Sequence, residues 1–229
     1  MFEHVLDKKR LSLLKTLVKT GVLDGFYLAG GTALSLQLGL RVSVDFDFFT
    51  LRHFNADSLY DMLRERFPSA RAVVIEPDTC DILIDGAKVS FFYYPYKLVE
   101  AFVQCSGDFD RLRMASPVDI AAMKLSAIGS RGARKDFYDL YQIYRCVPDF
   151  DGKRLLSVTR EKYGREKDIT YMLMGLGYFD DAEQEALPKT FVPADWEEIK
   201  HFFISEQRRL FDEEESRVRK AILEEQDFN

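Results

Sequence analysis

Residues 28–34 read LAGGTAL and residues 41–49 read RVSVDFDFF, and these two stretches decide how the first half of the chain is organised. The first stretch predicts a short buried strand that bends at Gly30-Gly31 into a helix, because glycines permit a sharp turn and apolar residues follow at helical spacing. Gly39 is expected to end that helix. The second stretch alternates apolar and polar residues over residues 42–49 and therefore predicts another strand.

Asp45 and Asp47 are predicted to share one face of this second strand, because alternate side chains of a strand point to opposite faces. Val44, Phe46 and Phe48 are expected on the other face, toward the core. The Cα atoms of the two aspartates would lie roughly 6–7 Å apart, so their carboxylates repel each other. A divalent cation would relieve the repulsion, and Mg²⁺ takes carboxylate oxygens together with substrate phosphates.

Gly30 and Gly31 open the predicted helix, where backbone N–H groups and the positive end of the helix dipole favour an anion. Thr32 adds a hydroxyl donor at the same place. A phosphate-binding turn followed by a metal-binding Asp-x-Asp strand suits nucleotidyl transfer, because one holds a triphosphate and the other offsets its developing charge. Each motif also has an ordinary interpretation: a Gly-Gly pair is commonly a plain turn, and an Asp-x-Asp pair is commonly just solvated.

Turn and cap residues predict the elements that follow. Asp85-Gly86 between two alternating apolar runs indicates a hairpin turn. Ser116 before Pro117 is typical of a helix N-cap followed by the first helical position. The predicted elements are a helix over residues 59–67, a strand over 71–75, hairpin strands over 81–84 and 87–94, and helices over 117–128, 133–145 and 195–225.

The order of these elements predicts an α+β fold. A small mixed sheet flanked by helices is expected over residues 1–110, and an α-helical domain over residues 111–229. An apolar stripe on the last helix is interpreted as core packing.

Composition excludes several classes of protein. The net charge of −6 argues against broad electrostatic binding of nucleic acid, while a local basic patch stays possible. Three widely spaced cysteines argue against a disulfide framework or a zinc ribbon. No stretch approaches the ~20 apolar residues of a membrane span, and no signal peptide is evident. The sequence predicts a soluble, reduced, cytoplasmic protein without a membrane partner.

Gly30-Gly31, thirteen further residues and then Asp45-Phe46-Asp47 resemble the signature of the DNA polymerase β-type nucleotidyltransferase superfamily. More closely, the two quoted stretches resemble the AbiEii/AbiGii toxin family. Its members are nucleotidyltransferase-like toxins of type IV toxin–antitoxin and phage-abortive-infection systems. The resemblance continues in Asp119-x-x-Ala122-x-Lys124-x-x-Ala127 and in Arg131-x-x-x-Lys135-Asp136-x-x-Asp139-Leu140, so it covers about residues 25–145.

The resemblance implies a nucleotidyltransferase-type sheet and a bacterial enzyme that uses a nucleoside triphosphate (NTP) with Mg²⁺ or Mn²⁺ bound by Asp45 and Asp47. It makes Lys124, Lys135 and Asp139 candidates for substrate positioning. It also implies an RNA acceptor, for instance the 3′ end of a tRNA, and a cognate antitoxin from a neighbouring gene.

The same residues can also be interpreted physically. If two helices pack as a hairpin, Lys124 and Lys135 could both reach the triphosphate, and Arg131 could clamp a phosphate. Arg131, Arg134 and Lys135 also form a basic cluster suited to an RNA acceptor. The ordinary alternative is that Asp136 and Asp139 only complement a helix N-terminus.

One departure from the superfamily pattern concerns a third carboxylate, which often acts as general base. Ser90 stands where that carboxylate is expected. Asp81, on the other arm of the hairpin, is the alternative. The departure keeps a second hypothesis open, a catalytically degenerate protein that binds nucleotide, RNA or a partner. Transfer to a protein or a small molecule is a third.

Overall fold

The computed structural model describes residues 1–164 and 167–226, with only the backbone given for residues 221–226. This part of the chain divides into two compact units. The first unit contains Met1–Ile120 together with Pro188–Val192. The second contains Ala121–Leu187 and the chain from Pro193 onward.

The first unit is built on a mixed sheet, which confirms the predicted fold class. Its strands in the described residues are β1 (Tyr27–Ala29), β2 (Phe46–Thr50), β3 (Arg71–Glu76), β4 (Thr79–Ile84), β5 (Ala87–Tyr93), β6 (Val103–Gln104) and β7 (Arg113–Met114). Their spatial order is β3-β4-β5-β2-β1-β7-β6. β2 lies at the centre, parallel to β5 and antiparallel to β1.

Three helices lie before or between these strands along the chain. Residues of types that commonly cap helices stand at their ends. The helices are α1 (Lys8–Lys19), α2 (Gly30–Leu38) and α3 (Ala56–Arg66). Asp7 and Asn55 accept hydrogen bonds from first-turn amides of α1 and α3. Gly39 ends α2 in the left-handed conformation, with φ of 71°.

The two faces of β2 differ in burial, as the alternation in the sequence predicts. Phe46 and Phe48 are fully buried, and Phe48 stacks on Phe91 of β5 with 5.2 Å between ring centroids. Asp47 is half-buried on the opposite face. This face, which also carries Ser90 and Asp81, is called the dyad face below.

The prediction that Val44 lies in the core is wrong. β2 begins at Phe46, and Val44 is 44% exposed. The segment before β2 makes its backbone contacts outside the sheet, because the Ser43 N–H donates to the Val5 carbonyl and Arg10 Nε donates to the Val44 carbonyl at 2.7 Å. The strand that was predicted over residues 42–49 therefore begins only at Phe46 in the structure.

The predicted hairpin is confirmed as β4 and β5. Asp85 and Gly86 have φ of 50° and 81°, which matches the two positive φ values that a type I′ turn requires. This turn sets a register in which Asp81 lies opposite Ser90.

The first unit extends beyond the expected boundary at residue 110. β7 pairs with β1, and the Ala115 N–H donates to the Leu28 carbonyl, so the chain up to the start of α4 (Pro117–Ser130) belongs to the sheet. Ser116 caps α4 as predicted, since its Oγ accepts from the Asp119 N–H at 3.0 Å.

The second unit is α-helical. Besides the later part of α4, its helices in the described residues are α5 (Arg134–Cys146), α6 (Gly152–Tyr163), α7 (Ile169–Gly175), α8 (Asp180–Glu183) and α9 (Trp196–Gln226). The stripe on α9 is core, because Ile199, Phe203 and Leu210 are buried. No helix of the described chain is both long and apolar enough to cross a membrane.

Glycines allow α4 and α7 to approach closely. A Cβ on Gly175 would lie 2.8 Å from the Gly129 Cα, and a Cβ on Gly129 would lie 2.8 Å from the Met172 Cα. These glycines therefore serve helix packing.

Asp119 fixes the segment that precedes β6. Its side chain is fully buried and accepts hydrogen bonds from the N–H groups of Val99 and Glu100, both at 3.0 Å. The Ser116 hydroxyl donates to the same carboxylate at 3.2 Å. Asp119 thus joins the first turn of α4 to the irregular segment at Val99 and Glu100, and all of these residues lie in the first unit.

We expect Asp119→Ala to lower the free energy of unfolding by about 2–4 kcal/mol, because two backbone N–H groups lose a charged acceptor. Urea denaturation of the variant, beside Asp110→Ala at an exposed position, measures the effect. Equal losses in the two variants would contradict this role of Asp119.

Candidate active site

The glycine turn and the aspartate pair meet at one point of the sheet. Ala29 of β1 lies opposite Asp47 of β2, and the next residue, Gly30, begins α2. Gly30 has φ of +66°, and a Cβ at this position would lie 2.9 Å from Asp47 Oδ2. The backbone conformation therefore favours glycine, and a Cβ here would displace the end of the Asp47 carboxylate. The Asp47 carboxylate lies directly against the start of α2.

The start of α2 has the properties of an anion site. Ala29, at the N-cap position, has no side-chain acceptor for the first-turn amides. Gly30 and Gly31 are both only half-buried. The positive end of this nine-residue helix therefore faces the region beside Asp47.

Asp45 is positioned by its backbone. The Thr32 hydroxyl donates to the Asp45 carbonyl and is hydrogen-bonded to Ser43 Oγ at 2.5 Å. Arg10 holds the neighbouring Val44 carbonyl from α1. Thr32 is buried, so in this structure its hydroxyl joins α2 to the Asp45 segment. The direct phosphate contact expected of Thr32 stays a prediction.

The neighbouring strands add a lysine that the sequence analysis did not single out. Ser90 lies opposite Asp47, and Asp81 lies opposite Ser90 one strand further on. Lys88 Nζ is 2.8 Å from Asp81 Oδ2. The hydrogen bond to Asp81 raises the pKa of Lys88 against the opposing effect of burial, and the charges of Asp47 and Asp45 add to it. The sequence could have identified Lys88, because it lies two residues before Ser90 and therefore on the same face of the predicted strand.

The donor set of the two aspartates fits a magnesium ion that is shared with a substrate. Asp45 and Asp47 are half-exposed carboxylates, which are the hard oxygen donors that Mg²⁺ prefers, and Asp47 lies against the start of α2. Among the described residues no group of three or more His, Cys, Asp or Glu side chains could hold a metal ion. Mg²⁺ commonly uses one or two carboxylates and completes its shell with phosphates and water, so two carboxylates suffice.

The motif residues of the second unit form a separate buried cluster. Lys124 Nζ lies 2.8 Å from Asp136 Oδ1 and 2.6 Å from Asp139 Oδ2. Arg131 Nε lies 2.9 Å from Asp136 Oδ2. Lys124 and both aspartates are buried. Burial by itself would raise the pKa of Asp136, but the charges of Lys124 and Arg131 outweigh it and hold that pKa well below its usual range.

Helix geometry explains which motif residues meet. Asp136 and Asp139 are three positions apart near the start of α5, so both side chains reach Lys124 on α4. Lys135 is exposed and makes no ion pair in the described part of the chain. The structure therefore does not bring Lys135 into this cluster, and its expected role in triphosphate binding stays a prediction.

The basic cluster expected over residues 131–135 is largely neutralised within the second unit. Arg131 pairs with Asp136, and Arg134 pairs with Glu183 at 3.2 Å. The Arg134 guanidinium also lies 4.5 Å from the ring centroid of Trp196. Lys135 is thus the free cation of the three in the described chain.

Comparisons with known proteins agree with the predicted resemblance. The family profile described as nucleotidyl transferase AbiEii toxin, type IV TA system, matches residues 12–222, which includes most of both units. An uncharacterized protein of Aquifex aeolicus is 38% identical over 200 residues, which cover 86% of this chain and 94% of that protein.

Solved structures resemble the fold. A protein from H. pylori, described as a candidate nucleotidyltransferase, superposes with a TM-score of 0.51 at 17% identity and covers 89% of this chain and 96% of its own. The nucleotidyltransferase toxin MenT4 from Mycobacterium tuberculosis gives a TM-score of 0.48 at 15% identity, covering 88% of this chain and 84% of its own. The first likeness confirms the fold alone.

Gly30→Ala tests the contact with Asp47. The free energy of unfolding should fall by roughly 1–2 kcal/mol, which is the cost of a non-glycine residue in the left-handed region. It should fall further because the methyl group displaces the Asp47 carboxylate. Gly107→Ala is the matched control, since Gly107 has φ of +64° and nothing lies within 4 Å of its Cβ position. Equal unfolding free energies by urea titration would contradict the close contact.

Lys124→Met tests the buried cluster. It should lower the free energy of unfolding at pH 7 by about 3–5 kcal/mol, because Asp136 and Asp139 lose the buried lysine between them and Asp136 keeps only Arg131. In the parent, Asp136 has a lowered folded pKa, so it stabilises the fold above its unfolded pKa of about 3.9 and this stability is lost as pH falls toward the folded value.

The difference in unfolding free energy between parent and Lys124→Met should therefore narrow as pH falls from about 7 to about 4, because protonation removes carboxylate charge that Lys124 no longer neutralises. Denaturation at several pH values measures this. Lys153→Met, at an exposed position, serves as the control. A pH-independent difference would argue against the ion pairs as its cause.

Proposed function

Because this chain belongs to the AbiEii nucleotidyltransferase toxin family of type IV toxin–antitoxin systems, we propose that it transfers a nucleotidyl group from an NTP to an acceptor hydroxyl. The proposed acceptor is RNA, at the 3′ end of a tRNA. The observation that carries the proposal is the contact of Asp47 with Gly30, which joins a carboxylate pair to a helix N-terminus. This combination serves triphosphate chemistry.

In this proposal Asp45 and Asp47 hold Mg²⁺ or Mn²⁺, and the start of α2 receives the triphosphate. When bound, the metal ion neutralises charge on the phosphates and orients them. The acceptor oxygen bonds to the α-phosphorus, the bond to the bridging oxygen breaks, pyrophosphate leaves with that electron pair, and the hydroxyl proton passes to water. Thr32 and Arg10 hold the Asp45 segment in place throughout.

The family resemblance adds four residues to the proposal: Lys124, Arg131, Lys135 and Asp139. Lys135 and the Arg131 side chain are exposed, so they are accessible to a phosphate. Lys124 and Asp139 are ion-paired and buried, and they would position the substrate through the geometry of α4 and α5. A cognate antitoxin encoded by a neighbouring gene and a cytoplasmic location complete the proposal.

A second candidate function is nucleotide or RNA binding without transfer. It is favoured by the absence of a carboxylate at the position opposite Asp47, where Ser90 lies. The alternative carboxylate, Asp81, lies one strand further away and is hydrogen-bonded to Lys88.

Asp45→Asn/Asp47→Asn should abolish nucleotidyl transfer and change the unfolding free energy little, because the lost repulsion between the two charges is offset by their lost attraction to Lys88 and to the start of α2. The purified protein is incubated with each α-³²P-labelled NTP, Mg²⁺ or Mn²⁺, and total bacterial RNA, and the products are resolved on a denaturing gel. Asp57→Asn/Asp61→Asn, which removes two exposed carboxylates from α3, is the matched control.

Label in a tRNA-sized band with the parent and the control, and none with the Asp45/Asp47 variant, supports the proposal. Equal labelling by the Asp45/Asp47 variant would overturn the assigned residues. If the parent labels no RNA, protein or small molecule with either metal, and a triphosphate still raises its melting temperature, the binding function is the better description.

A further inference from the structure

A row of side chains crosses the dyad face from the active site to the edge of the sheet. Lys88 of β5 lies opposite Leu83 of β4, and Leu83 lies opposite Arg71 of β3. Residues paired in this way point to the same face. Leu83 is 40% exposed, the Lys88 side chain is 43% exposed, and Arg71 is exposed. We call Lys88, Leu83 and Arg71 the edge row.

The inner end of the edge row lies beside the aspartate pair. Phe46 of β2 is opposite Val89, the residue after Lys88, and the charges of Asp47 and Asp45 act on the Lys88 ammonium group. Asp81 holds the ammonium group of Lys88 at 2.8 Å. Arg71, at the outer end, makes no ion pair in the described part of the chain. The edge row therefore presents two accessible cations on either side of an exposed apolar side chain.

Two buried polar atoms next to Lys88 have no hydrogen-bond partner. They are Asp81 Oδ1 and Ser90 Oγ, and both residues are more than nine-tenths buried. Such atoms are costly in a folded protein unless a further group satisfies them. Both lie on the β5 side of Asp47, whereas Gly30 lies on the β1 side.

The geometry of the transfer reaction indicates which substrate lies on each side of Asp47. In an in-line displacement the attacking oxygen and the leaving pyrophosphate lie on opposite sides of the phosphorus atom. If the pyrophosphate lies at the start of α2, the acceptor must approach over β5 and β4. The edge row begins at this position.

We propose that the edge row binds the single-stranded end of the nucleic-acid acceptor, with Lys88 contacting the phosphodiester nearest the attacking hydroxyl. The inference rests on the proposed function. Adjacent strands are about 4.8 Å apart, so the Lys88 and Arg71 backbones are roughly 10 Å apart and reach different phosphates. Leu83 lies under the sugar and base between them. Asp81 is a positioning residue that orients Lys88.

Binding is measured without turnover, by fluorescence anisotropy of a short fluorescein-labelled single-stranded RNA with the full chain and no NTP. Lys88→Ala and Arg71→Ala should each weaken binding roughly tenfold, as expected for one charge-assisted hydrogen bond. The double variant should also reduce the slope of log affinity against log salt by about 1.4. NTP affinity by calorimetry should not change.

Arg52→Ala is the matched control. Arg52 is exposed two residues after the end of β2, at the end of the strand away from Asp45. It should bind RNA like the parent. Lys88→Arg should keep most of the affinity, which separates loss of the cation from loss of the fold.

Asp81→Asn tests positioning. If Asp81 acts through Lys88, Asp81→Asn weakens RNA binding in the parent but adds little to Lys88→Ala. A purely structural role would add its full effect in both backgrounds.

The outcomes separate this inference from the proposed function. RNA binding that depends on the edge row, without any transfer, supports the edge row as an RNA site and the second candidate function, and it refutes transfer. Transfer by the parent with normal RNA binding by the Lys88 and Arg71 variants refutes the inference alone. A loss of NTP affinity in place of RNA affinity would assign Lys88 to the donor. Failure of the parent to bind RNA would also overturn it.

Discussion

The candidate active site depends on the close approach of the Asp47 carboxylate to the backbone of Gly30. A side chain on Gly30 would collide with the carboxylate, and the positive φ excludes most residues as well. Because of this contact, the end of β1, the start of α2 and the middle of β2 meet at one point. The same approach places a negative charge at the positive end of a helix, where it is stabilised.

Charge is balanced differently in the two units. In the first unit Lys88 lies among the carboxylates of the dyad face and pairs with Asp81 on a partly exposed surface. In the second unit Lys124 is buried with its carboxylate partners. Only the lysine of the Lys88–Asp81 pair is exposed, so Lys88 can contact a ligand while it stays paired, whereas separating the fully buried Lys124 pairs costs several kcal/mol. We therefore place ligand contacts on the first surface and positioning in the second cluster.

Local motifs were sufficient to predict most elements. The Asp85-Gly86 hairpin, the Ser116 cap and the end of α2 at Gly39 follow from backbone preferences that act within a few residues. The error at Val44 arose because strand pairing depends on residues that are distant along the chain. Alternation of residue types predicts that a segment is extended, but it does not show whether a neighbouring strand is available to pair with it.

The sequence by itself determined the α+β order of elements, the family and the Asp-x-Asp motif that ends on a central strand, because these follow from local spacing and motif order. Asp47 lies on that strand, whereas Asp45 directly precedes it. Only the tertiary structure decided which side chains meet. Asp47 reaches Gly30, Lys88 reaches Asp81, and Lys135 stays outside the Lys124 cluster. The reason is physical: strand register and helix packing bring together residues that are distant along the chain, and no local preference specifies those pairs.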